Sequence, residues 1–214
     1  MNQNNSNIEI ISVIQHTKDE LITKLRKVSM LKQPTIFPYE NASISIERLD
    51  LNMLTPSQDY ILVTNLLKME DLKFKLQEYK IDIFNLNGYL SLTVVNNNKP
   101  TDIDLLPIVV EECILDNGKI AYIIADGMHR SYMSYLQSVN PEIVFIRGVP
   151  KEFSYYAYPF KINNWNMIKR FDHKLPSDNS HIKKWRKHSK EKNYNYYRNY
   201  NSMFNNTSKP KGGY

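Results

Sequence analysis

The fold of this chain is best predicted from residues 123–131, which read Ile123-Ile124-Ala125-Asp126-Gly127-Met128-His129-Arg130-Ser131. The apolar first half of this stretch continues a run from Ile120 that is typical of a strand, and residues 128–137 have the apolar spacing of a helix. Asp126-Gly127 makes the turn between them. Upstream, residues 106–114 predict another strand and 116–119 a tight turn. The sequence therefore predicts a hairpin that leads directly into a helix.

This turn from strand to helix is a candidate anion site. The first amides of a helix have no partner within it, and the positive end of the helix dipole favours negative charge. A glycine permits a tight turn, and histidine and arginine donate hydrogen bonds to phosphate oxygens. Asp126 could orient a hydroxyl or a magnesium-bound water, which makes Asp126 and His129 candidate catalytic residues. The predicted phosphate or nucleotide site consists of Gly127, Met128, His129, Arg130 and Ser131.

The same residues also have a purely structural interpretation. Asp126 would cap the helix, Gly127 would close the turn, and His129 with Arg130 would form an exposed polar face. One short motif at a helix start is a weak signal, so both interpretations stay open at this point.

The hairpin running into IIADGMHRSYMSYL, residues 123–136, resembles the signature of the ParB/sulfiredoxin superfamily. Members of that superfamily carry Asp-Gly-x-His-Arg at the start of a helix that follows a buried strand. The resemblance extends from about Ile44 to Val149. It implies an α+β fold with a small mixed sheet and flanking helices. We predict four parts: an N-terminal strand-helix extension (1–43), the ParB/sulfiredoxin-like domain (44–150), an aromatic arm or lid (151–180), and a basic, partly disordered tail (181–214).

Versions of this motif differ within the superfamily. Sulfiredoxins have Gly-Cys-His-Arg with a catalytic cysteine where this chain has Met128, which argues against sulfinic-acid reduction. Chromosome-partition ParB proteins have Gly-Glu-Arg-Arg, from which Met128-His129 departs. The form found here is closest to that of the free-serine kinases and of ParB-like nuclease domains.

Resemblance to the free-serine kinases implies phosphoryl transfer from ATP or ADP, with Mg²⁺, to a small hydroxylated metabolite. Those enzymes take a catalytic glutamate from the region just before, or at the start of, the first helix of the domain, here predicted at 62–79. The preceding TPSQDY stretch, residues 55–60, contains Gln58 and Asp59 but no glutamate. Asp59 is therefore the candidate general base.

Four more residues are candidates for a substrate contact or a lid. Arg147 follows a predicted strand at 143–146, where it either joins the cleft or makes a surface salt bridge. Segment 151–176 is aromatic and interrupted by proline. Its Tyr155, Tyr156 and Trp165 either stack on a base and bury a substrate, or pack as an arm on the core.

The last segment, residues 181–214, is strongly basic. It carries nine Lys and Arg against the single Glu191, giving +8, whereas the whole chain has a net charge of +6. Aromatic residues are interleaved with these charges, which suits a nucleic acid or an acidic partner. A solvated helix with a disordered end is the alternative. Two further functions therefore stand beside the kinase: a ParB-like nucleic-acid-binding protein or nuclease, and a regulatory scaffold without catalysis.

Composition predicts where the protein is located and whether it binds a structural zinc ion. No apolar run approaches the ~20 residues of a membrane span, and the first residues lack the pattern of a signal peptide, so we expect a cytoplasmic protein with no membrane partner. Cys113 is the only cysteine and is predicted to be a packed strand residue. Five scattered histidines make a structural zinc site improbable.

Outside the motif region, the sequence predicts a strand at 8–14 and a helix at 18–30, capped by Thr17 and ended by Pro34. Asp102 and Asp104 are predicted to lie in a solvated loop, with a magnesium site as the less favoured alternative.

Overall fold

The computed structural model describes residues 8–96, 99–115, 117–155, 165–173 and 197–200. Its strands are β1 (Glu9–His16), β2 (Ser43–Arg48), β3 (Leu54–Thr55), β4 (Tyr60–Leu62), β5 (Tyr89–Asn96), β6 (Lys99–Leu105), β7 (Ile108–Ile114), β8 (Ile120–Asp126), β9 (Glu142–Arg147) and β10 (Lys169–Phe171). Its α-helices are α1 (Lys18–Arg26), α2 (Val63–Glu78) and α3 (Met128–Leu136). The predicted α+β class is confirmed.

A five-stranded mixed sheet with the order β2-β9-β7-β8-β3 carries the candidate site. Strands β7 and β8 form the predicted antiparallel hairpin, and β9 lies parallel to β7 on the other side. Both faces of the central strands are covered, and these strands are mostly apolar, although β7 also carries the fully buried Glu111. A three-stranded sheet, β1-β5-β6, and a parallel pair, β4 and β10, complete the described architecture.

Two groups of buried side chains cover the two faces of the five-stranded sheet. Helices α2 and α3 supply one group, which contains Leu72, Leu76 and Met133. Helix α1 supplies the other through Leu21 and Leu25, together with tyrosines from segments far apart in sequence. The strand end at Asp126 lies between these two packed layers. None of the helices in the described ranges is long and apolar enough to cross a membrane.

The N-terminal extension joins the fold through both of its elements. Strand β1 pairs antiparallel with β5 over its length. Thr17 caps α1 in a capping box with Glu20, as the sequence predicted. The helix ends at Arg26, however, and the expectation that it continues to residue 30 is wrong. Residues 29–31 instead leave the helix to form main-chain hydrogen bonds with residues 197 and 199.

The loop predicted around Asp102 and Asp104 is wrong, because both residues lie in β6, which pairs antiparallel with β5. Asp102 accepts a hydrogen bond from Thr93, and Asp104 accepts one from Ser91 at 2.7 Å and pairs with Lys24 at 2.6 Å. The sequence of β6 is polar and therefore resembles a loop, but the residues form a strand whose aspartates bind neighbouring side chains.

The C-terminal tail also departs from expectation where the structure describes it. Tyr197, Arg198 and Tyr200 are buried among the tyrosines that cover the sheet. Tyr197 and Tyr200, predicted to be available for stacking on bases, are therefore core residues. The rest of the tail lies outside the described residues.

Gly88 offers a direct test of the packing between β1 and β5. A Cβ atom at this position would lie 1.9 Å from the backbone oxygen of His16, which cannot move without separating the strands. We expect Gly88→Ala to cost about 3–5 kcal/mol in the free energy of unfolding, measured by denaturant titration. Gly118→Ala is the control, since nothing lies within 4 Å of its added carbon and only the left-handed backbone opposes it, at about 1–2 kcal/mol. Equal losses in the two variants would contradict the close approach.

Cys113 is buried in β7, as predicted for a packed residue. Burial, with the nearby carboxylate of Glu111, raises the pKa of its thiol to about 12. Because the thiolate is the reactive form, we expect alkylation of the native protein at pH 8 to be about 10³-fold slower than after unfolding in guanidinium. Iodoacetamide labelling followed by mass spectrometry measures the two rates. Rapid labelling of the native chain would show that the thiol is accessible.

Candidate functional site

The turn between β8 and α3 is built around Gly127. Its backbone is left-handed, with φ +89° and ψ 24°, and it forms the N-cap of α3 without a side-chain hydrogen bond. A Cβ atom here would lie 3.1 Å from Ile108 Cγ1 and 3.1 Å from Arg130 Nη2. Glycine is therefore required both by the backbone conformation and by the close approach of β7.

The polar residues of the motif are buried. Asp126 and His129 are 5% exposed and Arg130 is 2% exposed. The structural interpretation, in which Asp126 caps the helix and His129 with Arg130 forms an exposed face, is wrong on both counts. Charged groups are rarely buried without a partner or a function, because removing them from water is costly.

Arg130 makes contacts inside the protein. Its guanidinium donates to the carbonyls of Leu106 and Pro107, and its Nη2 lies 3.7 Å from Asp126 Oδ2. Burial lowers the pKa of Arg130, and the charge of Asp126 opposes this effect. The side chain thus ties α3 to the connection between β6 and β7 and places a positive charge beside the Asp126 carboxylate.

His129 joins the starts of two helices. The backbone N–H of Leu62, the N-cap of α2, donates to Nε2 of His129 at 3.4 Å. Because Nε2 accepts this bond, a neutral ring carries its proton on Nδ1. The amino-terminal ends of α2 and α3 therefore meet at one imidazole. This contact between residues 67 positions apart was not predicted from the sequence.

Met128 and Ser131 have less polar roles in the described contacts. Met128 is part of the core. The Ser131 hydroxyl donates to the carbonyl of Gly127 at 3.1 Å, and its backbone N–H donates to the same oxygen at 2.9 Å. The serine therefore closes the first turn of α3.

Asp59, the candidate base, lies just before β4, which leads into α2. Its carboxylate is 3.7 Å from Lys169 Nζ, and its backbone oxygen accepts a hydrogen bond from the Lys169 amide. Burial and the charge of Asp59 raise the pKa of the neighbouring Tyr60. In the sequence, Asp59 precedes by three residues Leu62, whose amide contacts His129.

Two buried polar atoms near these segments were missed by the sequence analysis. Thr55 Oγ1 and Asn65 Nδ2 are buried and have no hydrogen-bond partner among the described residues. Thr55 pairs with Ile123 of β8. Asn65 lies in the first turn of α2, three residues after Leu62. In an amphipathic helix, an apolar residue is expected at this buried position. The asparagine found there is the sequence feature that could have indicated a polar site.

The described candidates for a substrate contact or a lid lie in different parts of the fold. Arg147 forms a two-pronged salt bridge with Glu47, with distances of 2.7 and 2.9 Å, at the β2 edge of the sheet. Tyr155 is buried against the sheet and donates to the carbonyl of Ala125 at 3.4 Å. Trp165 donates to the carbonyl of Leu51 at 2.9 Å, and its ring stacks on Tyr135. Tyr156 lies outside the described residues.

No three His, Cys, Asp or Glu side chains within the described ranges are grouped closely enough to hold a metal ion. One surface cavity of about 200 Å³ lies between β1 and the end of α2. None of the predicted site residues lines that cavity; its lining consists of Ile8, Glu9, Ile10, Lys75, Glu78 and Tyr79.

A comparison against protein-family models found a match over most of the chain. Residues 20–169 match the model described as the ParB CE domain. No curated protein and no solved structure matched the chain. The match begins within α1 and ends at the start of β10, so it includes the N-terminal helix as well as the predicted domain. Because it covers well over half of the sequence, the chain belongs to the ParB CE domain family.

Proposed function

We propose that the protein is a nucleotide-binding enzyme that transfers a phosphoryl group from ATP or ADP to a small hydroxylated metabolite. The observation that carries this proposal is the buried His129, which joins the starts of α2 and α3 beside the Asp126–Arg130 pair. Titratable groups buried together at the end of a central strand are typical of functional sites. The amino terminus of α3 adds main-chain donors and a positive dipole.

The described contacts suggest a division of roles. The first amides of α3 and the Nδ1–H of His129 would donate to phosphate oxygens. Arg130 would hold the turn in place through its contacts inside the protein. Asp59 would take the proton of the substrate hydroxyl as the oxygen of that hydroxyl attacks the terminal phosphorus. The bond from that phosphorus to the bridging oxygen breaks, and the shortened nucleotide leaves with the electron pair.

Thr55 Oγ1 and Asn65 Nδ2, buried without a hydrogen-bond partner among the described residues, support this location. An unpaired buried donor costs about 1–3 kcal/mol, so such atoms in a folded protein usually indicate a bound water or ligand. Asn65 lies one helical turn from the Leu62–His129 contact, and Thr55 lies beside β8. We propose that both groups contact the ligand or its ordered water.

Magnesium would enter with the nucleotide. The Asp126 carboxylate is already close to Arg130, and the described residues contain no group of three metal-ligating side chains. Magnesium is commonly held by one or two carboxylates together with substrate phosphates and waters. Asp126 is thus suited to contact a magnesium ion or its water only when phosphates complete the shell.

A thermal-shift series on the full chain tests the proposal. We expect ATP, ADP or pyrophosphate with Mg²⁺ to raise the melting temperature by roughly 5–10 °C at a concentration about 100 times the dissociation constant. His129→Ala removes the group joining the two helix starts and is expected to abolish the shift. CTP and GTP in the same series test the choice of base.

His173→Ala is the matched control, because His173 is exposed and lies two residues after β10. It should keep the full shift. A melting temperature unchanged by every compound in the series would contradict the nucleotide site and favour a regulatory scaffold. An equal shift in His129→Ala and the unsubstituted chain would remove His129 from the site.

Binding of nucleic acid is the second candidate function, favoured by the net charge of +8 over residues 181–214. Deleting the tail would be a poor test because Arg198 is a core residue. We expect changing Lys183, Lys184, Arg186 and Lys187 to Gln to weaken DNA or RNA binding and to reduce the slope of log K against log salt by about 3.

Fluorescence anisotropy at several salt concentrations measures that slope. The control changes four exposed lysines in the described domain to Gln, and it should leave the slope nearly unaltered; these are Lys27, Lys80, Lys119 and Lys151. Equal slopes in the tail variant and the unsubstituted chain would contradict a nucleic-acid role for the tail.

A further inference from the structure

Strand β8 loses its regular pairing just before the Asp126 turn. Val109 of β7 lies opposite Asp126, and the next residue of β7 lies opposite Ile124, so Ala125 has no partner in this register. The described pairing with β3 on the other side ends earlier, at Ile123. A bulge bends the strand and leaves the extra residue outside the ladder. The position of Asp126 therefore depends both on its pairing with Val109 and on what holds the unpaired Ala125 peptide.

Tyr155 holds that peptide. Its hydroxyl donates to the carbonyl oxygen of Ala125 at 3.4 Å. Its ring is buried, with Tyr197 edge-on at 5.6 Å between centroids and the guanidinium of Arg198 at 5.6 Å from the ring centroid. Burial, reinforced by the charge of Glu111, raises the pKa of Tyr155, so its hydroxyl remains a donor at neutral pH.

The segment that packs on Tyr155 is itself fixed by a buried charge. Main-chain hydrogen bonds of 2.7 and 2.9 Å join segment 197–200 to segment 29–31. Arg198 donates through Nε and Nη2 to both carboxylate oxygens of Glu111, at 3.0 and 2.8 Å, and also donates to the carbonyl of Phe153. Neither charged side chain is exposed. Docking of the segment and burial of the Glu111 carboxylate are therefore coupled, because each charge is stable in the core only with the other.

Glu111 and Ala125 lie on adjacent strands, and Phe153 lies two residues before Tyr155. A continuous series of contacts thus runs from Arg198 through Tyr155 to the peptide that precedes Asp126. It approaches the turn from the layer opposite α2, where the Leu62–His129 contact lies.

We infer that Tyr155 and Arg198 are positioning residues for the Asp126 turn, and that segment 197–200 must be docked for the turn to bind a phosphate. The phosphate part of this inference rests on the proposed function. The positioning part concerns only the order of residues 123–131. An enzyme built this way has a site that is complete only when residues 197–200 are in place.

Tyr155→Phe is the most direct test, because it keeps the ring and removes only the donor. We expect the dissociation constants of Mg²⁺-ADP and of pyrophosphate to rise about 3- to 10-fold, which is the effect of one lost hydrogen bond. Amide hydrogen exchange in residues 123–131 should become faster, while protection elsewhere is retained. Tyr79→Phe is the matched control, since the Tyr79 hydroxyl also lies 3.4 Å from a backbone carbonyl, that of Ile10.

A double variant separates positioning from stability. Arg198→Met alone leaves Glu111 unpaired in the core and should lower the melting temperature strongly. Combining it with Glu111→Met removes both charges and should restore much of that loss. The double variant should nevertheless show faster exchange in residues 123–131 and weaker ligand binding, because the cation over the Tyr155 ring is absent.

Exchange and binding unchanged in Tyr155→Phe would overturn the inference. The failure of the proposed function looks different: the unsubstituted chain would bind neither probe. In that case the exchange rates of residues 123–131 still decide whether Tyr155 positions the turn, with faster exchange supporting it and unchanged exchange overturning it.

Discussion

The carboxylate of Glu111 lies in the middle of the five-stranded sheet with its side chain fully buried, and its neutralisation organises one whole face of the protein. Arg198 reaches it from near the carboxyl terminus, and the hydroxyl of Tyr39 donates to the same group. A buried carboxylate without these partners would be severely destabilising. Main-chain hydrogen bonds between residues 29–31, which follow α1, and segment 197–200 fix Arg198 beside this carboxylate.

A second buried pair, Asp126 with Arg130, lies at the end of β8. Both pairs lie near the bulge at Ala125, after which Asp126 pairs once more, with Val109, before the helix begins. The left-handed Gly127 then turns the chain so that α3 starts against the beginning of α2. Charge burial, a bulge and one glycine thus combine to present His129 and the amides of α3 at a single point between two packed layers.

Much of the fold could be predicted because it is encoded locally. The hairpin of β7 and β8, the helix after it and the capped start of α1 follow from apolar periodicity, turn residues and capping chemistry within short windows. Strand β6 was not predicted because its aspartates are compensated by side chains outside the strand, Asp104 by Lys24 and Ser91 and Asp102 by Thr93. Tyr197 and Tyr200 were misjudged for the same reason, since a basic neighbourhood says nothing about a buried partner such as Glu111.

The motif, its place at a strand-to-helix turn and the α+β class could be predicted from the sequence, and the family match confirms the resemblance. The residues that surround the motif depend on the tertiary fold. In the fold, Leu62 contacts His129, and Arg130 lies between Asp126 and two carbonyls. Arg147 pairs with Glu47 at the surface, and Tyr155 donates to the carbonyl of Ala125. The physical reason is that backbone preferences act over a few residues, whereas the cost of burying a polar group is met by whichever distant segment the fold brings beside it.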